Sequence, residues 1–191
     1  MKSYLSKVTA ISAMLLTLSI AVPAFAAETI VEKTGTLGLV GTSPNIYVSF
    51  IDESDSKTYI LKGVWTGELK TLGGVKVSVR AMDTTPVTGE IAAIQLPQLT
   101  VIDYEIVDVG GGTKPFVGFL HMDGKKLLLH VRNFGVPITI RAPAKIKETL
   151  TGLVGSKMWM TGKLKAGPVL RLTRMNVIKK AEPAPASDTK N

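Results

Sequence analysis

Cations and a tryptophan alternate with apolar residues near the carboxyl end of the chain. Segment 157–165 alternates as a β-strand does, so every second side chain points to the same face. A flat ring among cations suits a surface that stacks bases or sugars and pairs anionic groups. The pattern predicts an outward-facing tryptophan on an anion-binding surface; the alternative is a tryptophan turned into the core. The polar face carries Lys157, Trp159, Thr161, Lys163 and Lys165.

A second group of aromatic and cationic side chains lies on a predicted β-hairpin. Asp123-Gly124 between two apolar runs is a strong hairpin signal, and a two-residue loop there would pair Met122 with Lys125. In that register the two histidines lie too far apart to bind one metal ion. We expect them to be ordinary strand residues or contributors to an anion-binding surface that becomes more positive near about pH 6. One face of this hairpin carries Val117, Phe119, His121, Lys126, Leu128, His130 and Arg132.

Charge is distributed unevenly along the chain. Residues 27–112 hold 11 acidic and 6 basic side chains, whereas residues 113–191 hold 4 acidic and 15 basic ones. Such asymmetry favours an anionic partner for the second half; solubility, or attraction between the two halves, is the alternative. Candidate ligand-binding residues are therefore the cations and aromatics of the second half: Lys157, Trp159, Lys163, Lys165, Arg171, Arg174, Phe119, His121, Lys126, His130 and Arg132.

No arrangement of residues in the sequence is typical of an enzyme. The chain has no cysteine, two histidines, and neither a G-x-S-x-G nor an H-E-x-x-H motif. Asp103 and Glu105 alternate with apolar residues on a predicted strand, which indicates a solvated face. The acidic segment 52–55 lacks the twelve-residue pattern of a calcium loop and predicts a solvated hairpin tip. We expect no catalytic residue, no cofactor and no metal site.

The first 26 residues have the pattern of an export signal. Lys2 and Lys7 precede an uncharged run from residue 8 to residue 22, and a small-residue triplet ends at Ala26. The apolar run of about 15 residues is short against the roughly 20 that a membrane span needs. We expect a signal peptide cleaved after Ala26, export to a periplasm or the extracellular space, and no membrane span in the mature chain.

An internal repeat at an offset of 81 residues divides the rest of the chain into two units. In each copy, apolar residues at i, i+4 and i+7 predict a short helix, a glycine predicts its end, and alternation predicts a following strand. Turn signals add three strands before each helix and one more after it. The repeat aligns Trp65, Leu69, Leu72, Gly74 and Lys76 with Ile146, Leu150, Leu153, Gly155 and Lys157.

This order of elements resembles the OB-fold, a small five-stranded Greek-key barrel. The resemblance rests on element order over residues 30–180, and it implies a mainly β fold of two tandem barrels, each with one short helix. The expected divisions are an acidic domain at 27–109, a flexible glycine linker at 110–113, a basic domain at 114–181 and a disordered Pro/Ala-rich tail at 182–191. An extra stretch at 83–96 predicts a long hairpin or loop in the first copy.

Two functions are consistent with these features. The first is an exported, non-enzymatic binding protein whose basic second domain holds an anionic polymer, either an acidic polysaccharide or extracellular nucleic acid. The alternative is a structural or assembly protein of the cell envelope or surface. Its acidic first domain would meet the basic second domain of the next molecule, head to tail. The expected partner is thus an anionic polymer or an acidic protein surface, including that of a second copy.

Overall fold

The computed structural model describes residues 29–84, 96–165 and 167–182. The predicted export signal lies outside the described residues, as do most of the stretch 83–96 and most of the tail. The first unit has strands β1 (Ile30–Thr42), β2 (Asn45–Asp52), β3 (Thr58–Lys62), β4 (Lys76–Thr84) and β5 (Gln98–Asp108), with α1 (Thr66–Leu69) and a 3₁₀ turn (Lys70–Leu72) after β3. The second has β6 (Phe116–Asp123), β7 (Lys126–Val131), β8 (Ile138–Arg141), α2 (Ala144–Thr151), β9 (Lys157–Lys165) and β10 (Val169–Lys179).

Each unit is a five-stranded sheet whose hydrogen bonds close into a ring. The strand orders are β1-β2-β3-β5-β4 and β6-β7-β8-β10-β9, so the two barrels have the same connectivity. The third and fifth strands of each barrel pair in parallel, whereas the other neighbours are antiparallel. The offset of 81 residues separates β4 from β9 at both ends. The predicted mainly β fold of two five-stranded units with one short helix each is confirmed.

The helical leucines that the repeat singled out contribute to the two cores. Leu69 and Leu72 are fully buried in the core of the first barrel, and Leu150 is fully buried in that of the second. Burying a leucine side chain completely contributes about 1.5–3 kcal/mol relative to leaving it exposed. The spacing of apolar residues therefore identified the buried face of each helix.

A glycine in the first strand of each barrel allows that strand to pair on both sides. Two consecutive residues of each strand, Gly35-Thr36 in β1 and Gly118-Phe119 in β6, are paired with both neighbouring strands. A Cβ atom on Gly35 would lie 2.1 Å from the carbonyl oxygen of Ile51, and one on Gly118 would lie 2.2 Å from that of His130. No side chain fits at such distances, which is a common reason for glycine at a bend in a barrel strand.

The segment that joins the barrels is held by hydrogen bonds. The carboxylate of Asp108 accepts the backbone N–H groups of Gly110, Gly112 and Thr113 at 2.8–2.9 Å. The three consecutive glycines have positive φ values of 71–109°, which a residue with a side chain seldom adopts. Residues 110–113 therefore form a turn whose backbone N–H groups bind Asp108, and the flexibility expected of this segment stays a prediction.

Candidate functional site

Lys157, a predicted ligand-binding residue, is engaged in the contact between the two barrels. Its ammonium lies 2.7 Å from Oε2 of Glu68 in α1, and 5.1 Å above the rings of both Trp65 and Tyr104. The side chain of Lys157 is only 19 % exposed and that of Glu68 13 %. The proposed exposure of Lys157 to a ligand was therefore wrong, because the first barrel already supplies its carboxylate and aromatic partners.

The same four side chains form a cluster, which we call the interface cluster: Trp65, Glu68, Tyr104 and Lys157. The Tyr104 hydroxyl donates a hydrogen bond of 2.5 Å to Glu68, and the rings of Trp65 and Tyr104 meet edge to face at 5.6 Å. Burial, and then the hydrogen bond to the Glu68 carboxylate, raises the pKa of Tyr104 far above its usual value. Tyr104 thus acts as a hydrogen-bond donor to Glu68, and the cluster joins the two barrels.

Trp159 is buried rather than exposed among lysines. It is 5 % exposed and packs with Ile178 in the core of the first barrel. The predicted alternation is correct with respect to the second barrel, since the flanking methionines Met158 and Met160 point into that barrel's own core. The outward surface at Trp159 is covered by the first barrel, which a strand pattern alone does not reveal. The expectation of an outward-facing, exposed Trp159 was therefore wrong, and the alternative of a tryptophan turned into a core is the one observed.

Arg174 also contributes to the contact between the barrels. Its guanidinium lies 5.8 Å from the centre of the Trp159 ring and donates a hydrogen bond of 2.9 Å to the carbonyl oxygen of Val109. Val109 directly precedes the glycine turn between the barrels, and Trp159 packs in the core of the first barrel. The structure thus gives Arg174 a positioning role that was not predicted for it.

The hairpin of β6 and β7 forms with a different register from the predicted one. Met122 pairs with Leu127 and Asp123 with Lys126, so the loop residues are Gly124 and Lys125. Gly124 has a φ of 55° and takes the first loop position, where a type II′ hairpin loop requires glycine. The shift of two residues preserves which side chains share a face, and Phe119, His121, Lys126, His130 and Arg132 are all exposed.

The new register brings the two histidines together. Phe119 pairs with His130 and His121 pairs with Leu128, so His121 and His130 are diagonal neighbours on adjacent strands. Their ring centres are 4.4 Å apart and the ring planes meet at 58°. The expectation that they lie near opposite ends of the hairpin was wrong, because it depended on the Asp123-Gly124 loop.

Three cations lie directly opposite one another on the surface of the second barrel. Lys163 of β9 pairs with Arg171 of β10, and Arg171 pairs with Arg141 of β8. All three side chains are exposed and point to the same side, because paired residues of neighbouring strands share a face. Neighbouring strands are about 4.8 Å apart, so the charges stand side by side. Sequence analysis named Lys163 and Arg171 but not Arg141, which parallel pairing alone brings beside them.

A fourth cation continues this row onto β7. Leu128 of β7 pairs with Thr139 of the antiparallel strand β8. Lys126, two residues before Leu128, and Arg141, two residues after Thr139, therefore lie near each other on the same face. We call these four residues the basic row: Lys163, Arg171, Arg141 and Lys126. Lys165 is exposed on the same face of β9, two residues beyond Lys163.

The basic row is electrostatically unfavourable in the protein alone. Like charges directly opposite each other on a sheet destabilise it. Among the residues that the structure describes, no acidic side chain forms an ion pair with any of the four cations. Asp123 stands opposite Lys126 in the ladder but does not form an ion pair with it. The row therefore has charge available to an external anion.

Asp52 departs from the predicted solvated hairpin tip of residues 52–55. Its side chain is 1 % exposed, accepts a hydrogen bond of 2.5 Å from Lys33 and accepts two more from Ser54. Burial acts to raise the pKa of Asp52, but these hydrogen bonds outweigh it and hold the pKa below its usual value. Asp52 is thus a buried partner of Lys33 in the first barrel.

Comparison with known proteins does not assign the chain to a family. No family model, no curated protein and no solved structure matches the sequence or the fold. Within the described ranges, no helix has the length and apolar character needed to cross a membrane.

Proposed function

We propose that this chain is an exported, non-enzymatic binding protein that holds an anionic polymer along the basic row of its second barrel. The observation that carries the proposal is the direct pairing of Lys163 with Arg171 and of Arg171 with Arg141, without an acidic partner in the described chain. Clustering like charges has a cost in stability, and an anionic ligand removes that cost. Solubility alone requires no such alignment, because scattered charges serve it equally well.

The dimensions of the basic row suit a linear ligand. Four strands at a spacing of about 4.8 Å place its cations over about 14 Å, which a polymer with closely spaced charges can follow. Such a ligand releases its condensed counterions on binding, so affinity falls as the salt concentration rises. The excess of basic residues after residue 112 adds long-range attraction for the same ligand.

Among anionic polymers, the structure favours an acidic polysaccharide. Single-stranded nucleic acids are generally held by bases stacked on exposed aromatic rings. The burial of Trp159 removes the ring that the sequence offered on β9, and the exposed ring of Phe119 lies on β6, outside the four strands of the basic row. Charge alone remains along the row, and carboxylate or sulfate groups of a polysaccharide need no more. The OB-fold, which the order of elements resembles, binds oligosaccharides and oligonucleotides on its second and third strands. In the second barrel these are β7 and β8, which carry Lys126 and Arg141.

Sizing combined with light scattering tests this function. The exported protein is measured at about 50 mM and 500 mM salt, with and without a sulfated polysaccharide, because screening strengthens steeply over that range. We expect a monomer that forms a larger species only with the polysaccharide and only at low salt. Salt-sensitive self-association without added polymer would instead support the head-to-tail structural function. Nucleic acid bound more tightly than polysaccharide would contradict the assigned ligand class.

A further inference from the structure

The two histidines of the chain lie next to each other on the surface of the second barrel. His121 on β6 and His130 on β7 are exposed, and their ring centres are 4.4 Å apart. Both residues lie on paired segments of antiparallel strands, which hold their backbones at a fixed separation. A nine-residue separation along the chain thus becomes a diagonal contact in space.

This geometry suits two imidazole ligands of one metal ion. Neutral imidazole nitrogen is the commonest protein ligand of transition metals, at about 2.0–2.1 Å from zinc. Two nitrogens bound to one ion at that distance lie about 3 Å apart, which adjacent rings reach by rotation of their side chains. The face is open to solvent, so water can fill the remaining positions.

We propose that His121 and His130 form a surface site for one divalent transition-metal ion. Copper(II) binds more tightly there than nickel(II) or zinc(II), as expected for nitrogen ligands. The chain has no cysteine that would compete for the metal. Within the described ranges, no cluster of three histidine or acidic side chains is present, so the site has two protein ligands and its affinity is modest.

The charged groups around the pair determine how binding responds to pH. Asp123 lies two residues beyond His121 on the same face, while Lys126 and Arg132 lie on the β7 side. Only an imidazole nitrogen without a proton binds a metal ion, so metal binding competes with protons and weakens in acid. The neighbouring cations oppose a metal ion, and their removal should strengthen binding. This site does not depend on the proposed polymer function.

Metal titration by isothermal calorimetry, on exported protein purified without a polyhistidine tag, tests the site. Copper(II), nickel(II) and zinc(II) salts are titrated at about pH 7.5 and about pH 5.5, because protons compete with the metal ion for its ligands. We expect one copper ion per chain at the higher pH and much weaker binding at the lower. Either His121→Asn or His130→Asn should lower the affinity at least about 100-fold, the upper end of what loss of an outer-shell partner costs, whereas Lys126→Gln should raise it.

Paramagnetic broadening in the unmodified protein provides a measurement that needs no variant. Substoichiometric copper(II) should broaden the imidazole proton signals of His121 and His130 together, before other signals. Broadening of only one histidine, or of neither, would overturn the proposal. So would copper binding that is equally tight in both asparagine variants.

Discussion

The ammonium of Lys157 lies 2.7 Å from the carboxylate of Glu68, and this ion pair joins β9 of the second barrel to α1 of the first. The Tyr104 hydroxyl donates a hydrogen bond to the same carboxylate. Trp159, two residues after Lys157, packs in the core of the first barrel. The barrels are therefore held together by a mostly buried polar cluster as well as by apolar packing. The first barrel thus covers Lys157 and Trp159, around which the sequence predicted an anion-binding surface.

Removing the Lys157 ammonium should destabilise the protein. Lys157→Met leaves the Glu68 carboxylate mostly buried without its cation, and we expect a loss of about 3 kcal/mol in the free energy of unfolding. Urea denaturation measures it. Lys114→Met is the matched control, since its pair with Glu105 is largely exposed (71 % and 65 %) and should contribute little. Equal effects of the two substitutions would contradict the importance of the interface cluster.

Trp159 should report on the contact between the barrels and not on a ligand. The chain has two tryptophans, so a Trp65→Phe variant isolates the emission of Trp159. Because Trp159 is 5 % exposed, we expect weak quenching by acrylamide and no change when a sulfated polysaccharide is added. Protection of Trp159 by the polysaccharide would instead restore the stacking role that the structure argues against.

Gly118→Ala should destabilise the second barrel. The new Cβ atom would lie 2.2 Å from the carbonyl oxygen of His130, so the paired strands must separate. We expect a loss of about 3 kcal/mol, at the upper end for inserting one methyl group into a packed site. Gly67→Ala is the control, because a Cβ atom there meets nothing within 4 Å. Thermal unfolding of the two variants makes the comparison, and similar melting temperatures would be inconsistent with the observed β6–β7 contact.

The Asp52–Lys33 pair should stabilise the protein over a defined pH range. The pKa of Asp52 is lowered on folding, so its contribution is complete above its unfolded pKa of about 3.9 and is lost as the pH falls through the folded value. The pKa of Lys33 is raised, chiefly by its hydrogen bond to Asp52, so its contribution is lost only as the pH rises through a value above about 10.4.

The Asp52→Asn substitution tests this pH range. We expect the variant to lose about 3 kcal/mol at neutral pH, because Lys33 then faces no charge in a mostly buried site. The difference from the wild type should shrink below about pH 4, where the Asp52 carboxylate of the unfolded chain begins to be protonated while that of the folded protein still resists protonation. Urea denaturation at several pH values gives both curves. A difference that is constant from neutral pH to strongly acidic pH would rule out the carboxylate as its source.

Local patterns were sufficient to predict the fold, because each barrel is built from elements with clear periodicity. Each barrel has the predicted order of three strands, a helix and two strands, and the helical leucines Leu69, Leu72 and Leu150 are buried as expected. The site was harder to predict, because it depends on which strands are neighbours. Arg141 joins the basic row through parallel pairing, and the histidines meet through a loop placed one residue later than expected. Trp159 faces outward from the second barrel but packs against the first, and the alternation of residues within one strand cannot predict a contact between barrels.

The salt dependence of polysaccharide affinity tests the central claim most directly. Wild type is compared with a variant lacking three cations of the basic row (Lys163→Gln, Arg171→Gln, Arg141→Gln) and with a control lacking three exposed cations elsewhere (Lys62→Gln, Lys70→Gln, Lys180→Gln). The two variants have the same net charge. We predict weaker binding by the row variant, with the slope of log affinity against log salt reduced by about three, while the control keeps the wild-type slope. Equal losses in both variants would show that overall charge, not the basic row, holds the polymer.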